Sequence, residues 1–167
     1  MLGKTNNAIL QQVEQAIQAK VQPKDQSAFQ RIVTAGLKVM YDPQTHPIMV
    51  RQMSKPGDPA EVAGEGAASL LAILYKESKG TMPIGPGILA AQIWLCEGLD
   101  FMAQAGKIQV SDDVVAMATK SMMAHILQIF HVPPAKINQA MHAGAAQQQG
   151  AQPAPASSGI VAGAMSQ

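Results

Sequence analysis

Apolar positions recur with helical spacing along most of the chain. Between Asn6 and Gln22, Leu10, Val13, Ile17 and Val21 form one stripe, while Gln11, Gln12, Gln15, Gln18 and Gln22 occupy other positions. Pro23 breaks this first helix. Phe29, Ile32, Val33, Gly36, Leu37 and Met40 then follow the i, i+3, i+4, i+7 pattern, giving a second helix that stops near Tyr41, where DPQTHP favours turns. A short third helix starts at Thr45 or His46 and turns Ile48, Met49 and Met53 inward; SKPGDP ends it. Asp58 reads as the N-cap of a fourth helix, with Pro59 at its first position and Glu61 at its third, a capping box. Gly80 closes that helix. A fifth is expected from Pro86 to Ala105 after a hinge at Gly85-Pro86-Gly87, and a sixth after Ser111 with a stripe of Val115, Ala118, Met122, Ile126 and Ile129. Pro133 and Pro134 follow it, and a weaker seventh helix holds Ile137, Ala140 and Met141.

The fourth and fifth helices raise a question of environment. They form two apolar runs, Gly66 to Tyr75 and Ile84 to Cys96, joined by a polar bend. A helix crossing a bilayer needs about 18–20 consecutive apolar residues. Neither run is that long, the second contains Gln92, and Glu97 and Asp100 follow it on the same helix. Each charge near a bilayer centre costs roughly 2.5–3.5 kcal/mol. Burial in protein is therefore expected, and any membrane contact is conditional rather than constitutive. Ala60, Gly64, Ala68 and Ala72 repeat every four residues, so one flank of the fourth helix is nearly bare backbone that another helix can approach closely. The fifth carries Leu89, Ala90, Ile93, Leu95, Cys96, Leu99 and Met102 around much of its circumference and needs more than one neighbour. Ala60, Gly64, Ala68, Ala72, Leu89 and Ile93 are the candidate helix–helix interface.

No segment alternates like a strand. The expected fold is all-α, a helical bundle of about six to seven helices over residues 1–143 with a central apolar αα-hairpin over about 59–105. Beyond Gly144 the chain becomes AAQQQGAQPAPASSGIVAGAMSQ, a low-complexity tail over 144–167 that builds no core by itself. No Asp, Glu, Lys or Arg occurs from Ile137 to Gln167. The tail ends in a small apolar cluster whose Ile160, Val161 and Met165 are candidate anchors against a neighbouring subunit.

Composition narrows the function classes. Twelve basic residues balance 11 acidic ones, and basic and aromatic residues are too scattered for specific nucleic-acid binding. Residues 1–55 nevertheless carry a net +4 and the remainder −3, an asymmetry able to orient the chain against a charged neighbour. A single cysteine, Cys96, excludes an internal disulfide and sits where a small buried hydrophobe is expected. The N-terminal MLGKTNNAILQQ lacks the apolar core of a secretory signal, so synthesis in a cytoplasm is expected. Eleven methionines suit irregular or exchangeable interfaces.

Catalytic and metal motifs are lacking. His125 and His131 are six apart, about 240° around a helix, and no HExxH occurs. Gly64-Glu65-Gly66 lies within a helix and precedes no GK[ST], so it does not read as a phosphate loop. Glu97 and Asp100 share a helix face with no partner inferable on another element, and an enzyme would call for a pocket in which His125 and Glu97 face each other. No catalytic residue, cofactor, metal or small-molecule substrate is expected.

The stretches DPAEVAGEGAASLLAILYKESKGTMP and LCEGLDFMAQAGKI, with the Ala/Gln/Met-rich helical character and uncharged Pro/Gly tail, resemble small virion structural proteins of tailed bacteriophages. The resemblance implies a homo-oligomer that binds other virion proteins. Such a protein is either ejected with the genome to form a conduit through the host envelope or serves as an adaptor between head and tail. A hairpin that opens onto a membrane when triggered is a further reading.

Overall fold

In the computed structural model the elements are α1 (Ala8–Lys20), a 3₁₀ turn (Pro23–Asp25), α2 (Gln26–Tyr41), α3 (His46–Met53), α4 (Pro59–Glu77), α5 (Ile84–Gln104) and α6 (Asp112–Ile129). The structure describes residues 5–131. The seventh helix, the boundary at 143 and the tail with Ile160, Val161 and Met165 lie outside the described residues, among which every regular element is helical.

Local chemistry explains most of the boundaries. The Asn7 side chain accepts from the Ile9 and Leu10 N–H groups at 2.9 and 3.4 Å and starts α1. Asp58 does the same for α4 through Ala60 and Glu61, at 2.8 and 3.4 Å, with Pro59 at the first position. The return bond of the expected capping box, from Glu61 to Asp58, does not form among the described residues. Ser111 caps α6 by accepting from Val114 N–H at 3.3 Å. α5 ends in a Schellman turn: Gly106 adopts φ +69°, its N–H reaches the Ala103 carbonyl at 3.0 Å, and the Lys107 N–H reaches Met102 at 2.9 Å. At its other end α5 begins two residues earlier than expected. Gly85, Pro86 and Gly87 form its first turn, and the Gly87 N–H donates to the Pro83 carbonyl at 3.1 Å. The hinge read from Gly85-Pro86-Gly87 is thus helix; a proline in a first turn loses only an N–H that had no helical partner.

α5 is the helix around which the others pack. It lies against α1, α2, α4 and α6, and all residues from Ile93 to Asp100 are buried. Its tightest seat is on α2. Trp94, 1% exposed, lies flat on Gly36, where an added Cβ would stand only 2.1–2.4 Å from the indole, and its Nε1–H donates to the Val33 carbonyl at 3.2 Å. A second close approach joins α4 to α6, the most extensive helix pair among the described residues. A Cβ at Gly64 would lie 2.6 Å from the Ala118 carbonyl and 2.7 Å from the Met122 nitrogen. Ser121 Oγ also donates to the Glu61 carbonyl at 3.2 Å across this pair. From α3, the Met53 methyl enters between Gly66 of α4 and Gly98 of α5, 2.9 and 3.3 Å from the Cβ each would carry. Lys107 Nζ holds that end of α3 by donating to the Met53 carbonyl at 3.2 Å.

These approaches predict a graded series. Gly36→Ala forces the buried indole off its seat and destabilises the chain by about 2–3 kcal/mol. Gly64→Ala gains up to about 1 kcal/mol of helix propensity but meets rigid backbone, for a net loss of about 1–2 kcal/mol. Gly85→Ala, with nothing within 4 Å of the added methyl, is neutral or stabilising by about 0.5–1 kcal/mol. Urea unfolding midpoints at matched m-values check the order.

Candidate functional site

Two features stand out: a cluster of buried carboxyl groups between α1 and α5, and an apolar groove bounded by α2, α3 and α4.

Glu14 on α1 faces Glu97 and Asp100 on α5, and the three are 6%, 5% and 5% exposed. Tyr41, at the end of α2, donates its hydroxyl to Glu97 Oε2 at 2.6 Å. Asp100 Oδ2 accepts from the Asn6 backbone N–H at 3.2 Å and from Gln104 Nε2 at 2.6 Å. Glu14 Oε1, Glu97 Oε1 and Thr5 Oγ1 are buried without a hydrogen-bond partner among the described residues. Desolvation, then the Glu97 and Asp100 charges, push Glu14 up from 4.5 to about 7, with Thr5 acting the other way. Burial, followed by the hydrogen bond to Glu97, also raises Tyr41 well above the usual phenol range. Cys96 is pushed up to about 12 by burial and the neighbouring Glu14 and Glu97, which keeps it a neutral thiol with no nucleophilic character. Among the described residues no group of three His, Cys, Asp or Glu side chains has a metal-binding arrangement. Hydrogen bonds in the cluster join the end of α2, through Tyr41, and the segment ahead of α1, through Asn6, to α5.

The groove has the opposite chemistry. Val39 and Met40 of α2, Ile48 and Met49 of α3, and Leu70 and Ile73 of α4 line a trough of about 330 Å³ whose floor reaches Trp94. Its rim is apolar and open, with Ile48 63% and Ile73 50% exposed. The Gln52 amide stands in its wall near Glu65. Lys55, bound to Glu65 Oε1 at 3.0 Å, holds that carboxyl below its ordinary value, while the buried Gln52 Nε2 reaches hydrogen-bond geometry with no described residue.

The expected interface residues divide between partners. Ala60, Gly64 and Ala68 are buried and Ala72 half-buried on α4; Ile93 is buried and Leu89 half-buried on α5. At Gly64 the approaching helix is α6, rather than the following helix α5. His125 and Glu97 do not meet: His125 Nδ1 lies 2.9 Å from the Ser121 carbonyl of its own helix, and its charge bears on Glu65. His46 likewise donates from Nδ1 to the Met40 carbonyl at 2.9 Å and stacks on Tyr41. Glu14 was missed in the sequence reading, although it falls on the stripe between Leu10 and Ile17 as its one charged position. Among the described residues no helix is long and apolar enough to cross a membrane. No protein-family model matches the chain, nor does any curated protein or solved structure.

The cluster predicts an inverted pH dependence. A carboxyl raised in the folded state holds a proton that the unfolded chain has lost, so its contribution is fully present below about 4.5 and is lost as pH rises to about 7. After allowance for solvent screening the loss is on the order of 1–2 kcal/mol. Glu14→Gln removes it: the variant melts a few degrees above the native chain at pH 8 and close to it at pH 4.5. Parallel melting curves for the two chains across that range would contradict the assignment.

Proposed function

We propose that this chain is a non-enzymatic assembly protein, a component of a tailed-bacteriophage virion present in several copies, that meets its partners through the α2–α3–α4 groove. The observation that carries the reading is the groove itself, an open apolar trough with Ile48 and Ile73 standing at its rim. Exposed apolar surface of this kind on an otherwise well-buried helical domain fits a contact made with protein, and the methionine side chains in its wall adapt to partner shape. The α4–α5 pair would act as the bundle's central hairpin and hold the groove wall rigid.

The virion assignment rests on the resemblance of the Asp58–Pro83 and Leu95–Ile108 stretches to phage structural proteins, and ejection with the genome is the role such small helical proteins suggest. A non-catalytic role accords with the placement of the titratable groups. Tyr41 binds Glu97 from one helix to another, Glu14 is buried beside Glu97 and Asp100, and His125 is engaged by its own helix.

Mass spectrometry of purified particles tests the reading. The chain is expected at a fixed copy number above one, and Ile48→Asp, a change at a solvent-exposed position, lowers its incorporation severalfold without altering its melting temperature. Absence from particles, or unchanged incorporation of the variant, contradicts it.

A further inference from the structure

α1 is attached to the bundle more lightly than the helices that follow it. It packs chiefly on α5, and its 13 residues bury only Leu10, Glu14 and Ile17, so the middle position of its inner stripe is a carboxyl. A helix of that length is marginal in water unless an apolar face docks it. The Asn6 N–H crosses to Asp100 Oδ2 at 3.2 Å, whereas the Asn7 cap and the bond from Gln11 Nε2 to the Thr5 carbonyl, 2.8 Å, stay within residues 5–20. Past Lys20 the ladder stops. Val21 and Gln22 are extended, with φ −72°, ψ 120° and φ −67°, ψ 146°, and Pro23 has no N–H with which to carry helical bonding onward into α2. The close approaches that set the rest of the bundle, Trp94 on Gly36, Gly64 on α6 and Met53 between Gly66 and Gly98, involve no residue of α1.

We propose that residues 5–20 form a proton-latched arm, docked on α5 while the space shared by Glu14, Glu97 and Asp100 retains a proton and released from it, with α2 to α6 still folded, when that proton is lost. The groups facing Glu14 are Glu97, Asp100 and the Cys96 thiol on α5, and Tyr41 at the end of α2, whose hydroxyl is committed to Glu97. Lys20, the other charged side chain of α1, is exposed. Among the described residues the one salt bridge is Lys55 to Glu65, so no lysine or arginine is paired with the cluster. Nor are its oxygens all satisfied. Glu14 Oε1, Glu97 Oε1 and Thr5 Oγ1 are buried without a hydrogen-bond partner among the described residues, and a carboxylate in that position is left with neither a cation nor a donor.

Repulsion among three charged carboxyl groups is relieved by whichever motion loses least. Undocking α1 separates Glu14 from Glu97 and Asp100 and gives up two buried apolar side chains of α1, Leu10 and Ile17, whereas opening α5 would give up the whole core around Trp94. The direction follows from linkage. Docked, Glu14 is raised to about 7 by burial and its acidic neighbours, and in the released arm it returns to about 4.5. Docking is therefore strongest below about 4.5 and weakens as pH rises through about 7. Release uncovers the Glu97 and Asp100 side of α5 and frees an amphipathic helix whose outer positions include Gln11, Gln12, Gln15 and Gln18. This device is independent of the α2–α3–α4 groove.

Amide hydrogen exchange of the full-length chain at pH 4.5 and pH 8, corrected for the intrinsic pH dependence of exchange, tests it. Protection of the α1 amides is expected to fall by about tenfold between the two conditions, while the ratio of α5 to α1 protection rises by the same factor. Glu14→Gln, which keeps the shape and removes the charge, abolishes the change. The native chain's own response decides the question even if that variant folds poorly. Unchanged α1 protection overturns the proposal, and so does an equal fall in α5, which would make the effect global unfolding. A pH response that persists in well-folded Glu14→Gln overturns it as well, by placing the latch elsewhere.

Discussion

The indole of Trp94 lying on the bare backbone of Gly36 is the contact on which the arrangement of helices depends. α5 is buried around its whole girth from Ile93 to Leu99 and apolar there except at Glu97, so leaving it on the outside of the bundle would expose large side chains whichever face turned inward. Burial from several sides requires that at least one neighbour come unusually near. Gly36 makes that possible for α2, and the hydrogen bond from Nε1 to the Val33 carbonyl satisfies the indole N–H that burial would otherwise leave unpaired. With α2 fixed to α5, the Tyr41 hydroxyl reaches Glu97, the α2 end places Val39 and Met40 in the groove wall, and α3 is set so that Met53 enters between Gly66 and Gly98.

The two candidate surfaces follow from the same constraint. On one side of α5, short α1 must cover Glu97 and Asp100, and it brings Glu14 to do so. Three carboxyl groups in one poorly solvated space are mutually unfavourable when charged, and a retained proton on Glu14 relieves the conflict. On the other side, α3 is too short to cover the flank of α4 completely. Ile48 and Ile73 remain at the rim of a trough that reaches Trp94 itself, so the groove is an opening onto the central packing rather than an isolated surface patch.

Much of this could be read from the order of residues. The stripes of α1, α2 and α6 and the caps at Asp58 and Ser111 are local signals, set by spacing and side-chain reach within a turn or two. The errors arise where identity of the facing element matters. The Ala/Gly repeat of α4 announced a close approach but could not name α6 as the helix that makes it, since any bare flank is equally inviting. Gly36 reads as one more apolar position until Trp94 is placed above it. Glu14 occupies the inner stripe of α1, a visible irregularity whose meaning depends on Glu97 and Asp100, more than 80 residues away. Gly85-Pro86-Gly87 reads as a hinge because glycine and proline favour turns, yet in a first turn proline loses only an N–H without a helical partner, and the helix begins at Ile84.

Hydrogen exchange on the full-length chain bears most directly on the claim that the oily surface of α5 is satisfied within the subunit. If α5 is enclosed by α1, α2, α4 and α6 and pinned through Trp94, the amides of residues 90–102 exchange only on global unfolding and are the slowest in the chain, with those of α1 opening orders of magnitude sooner. Exchange of α5 as early as α1 in an isolated, monomeric chain would show that its apolar girth awaits a cover from outside, and would contradict the account.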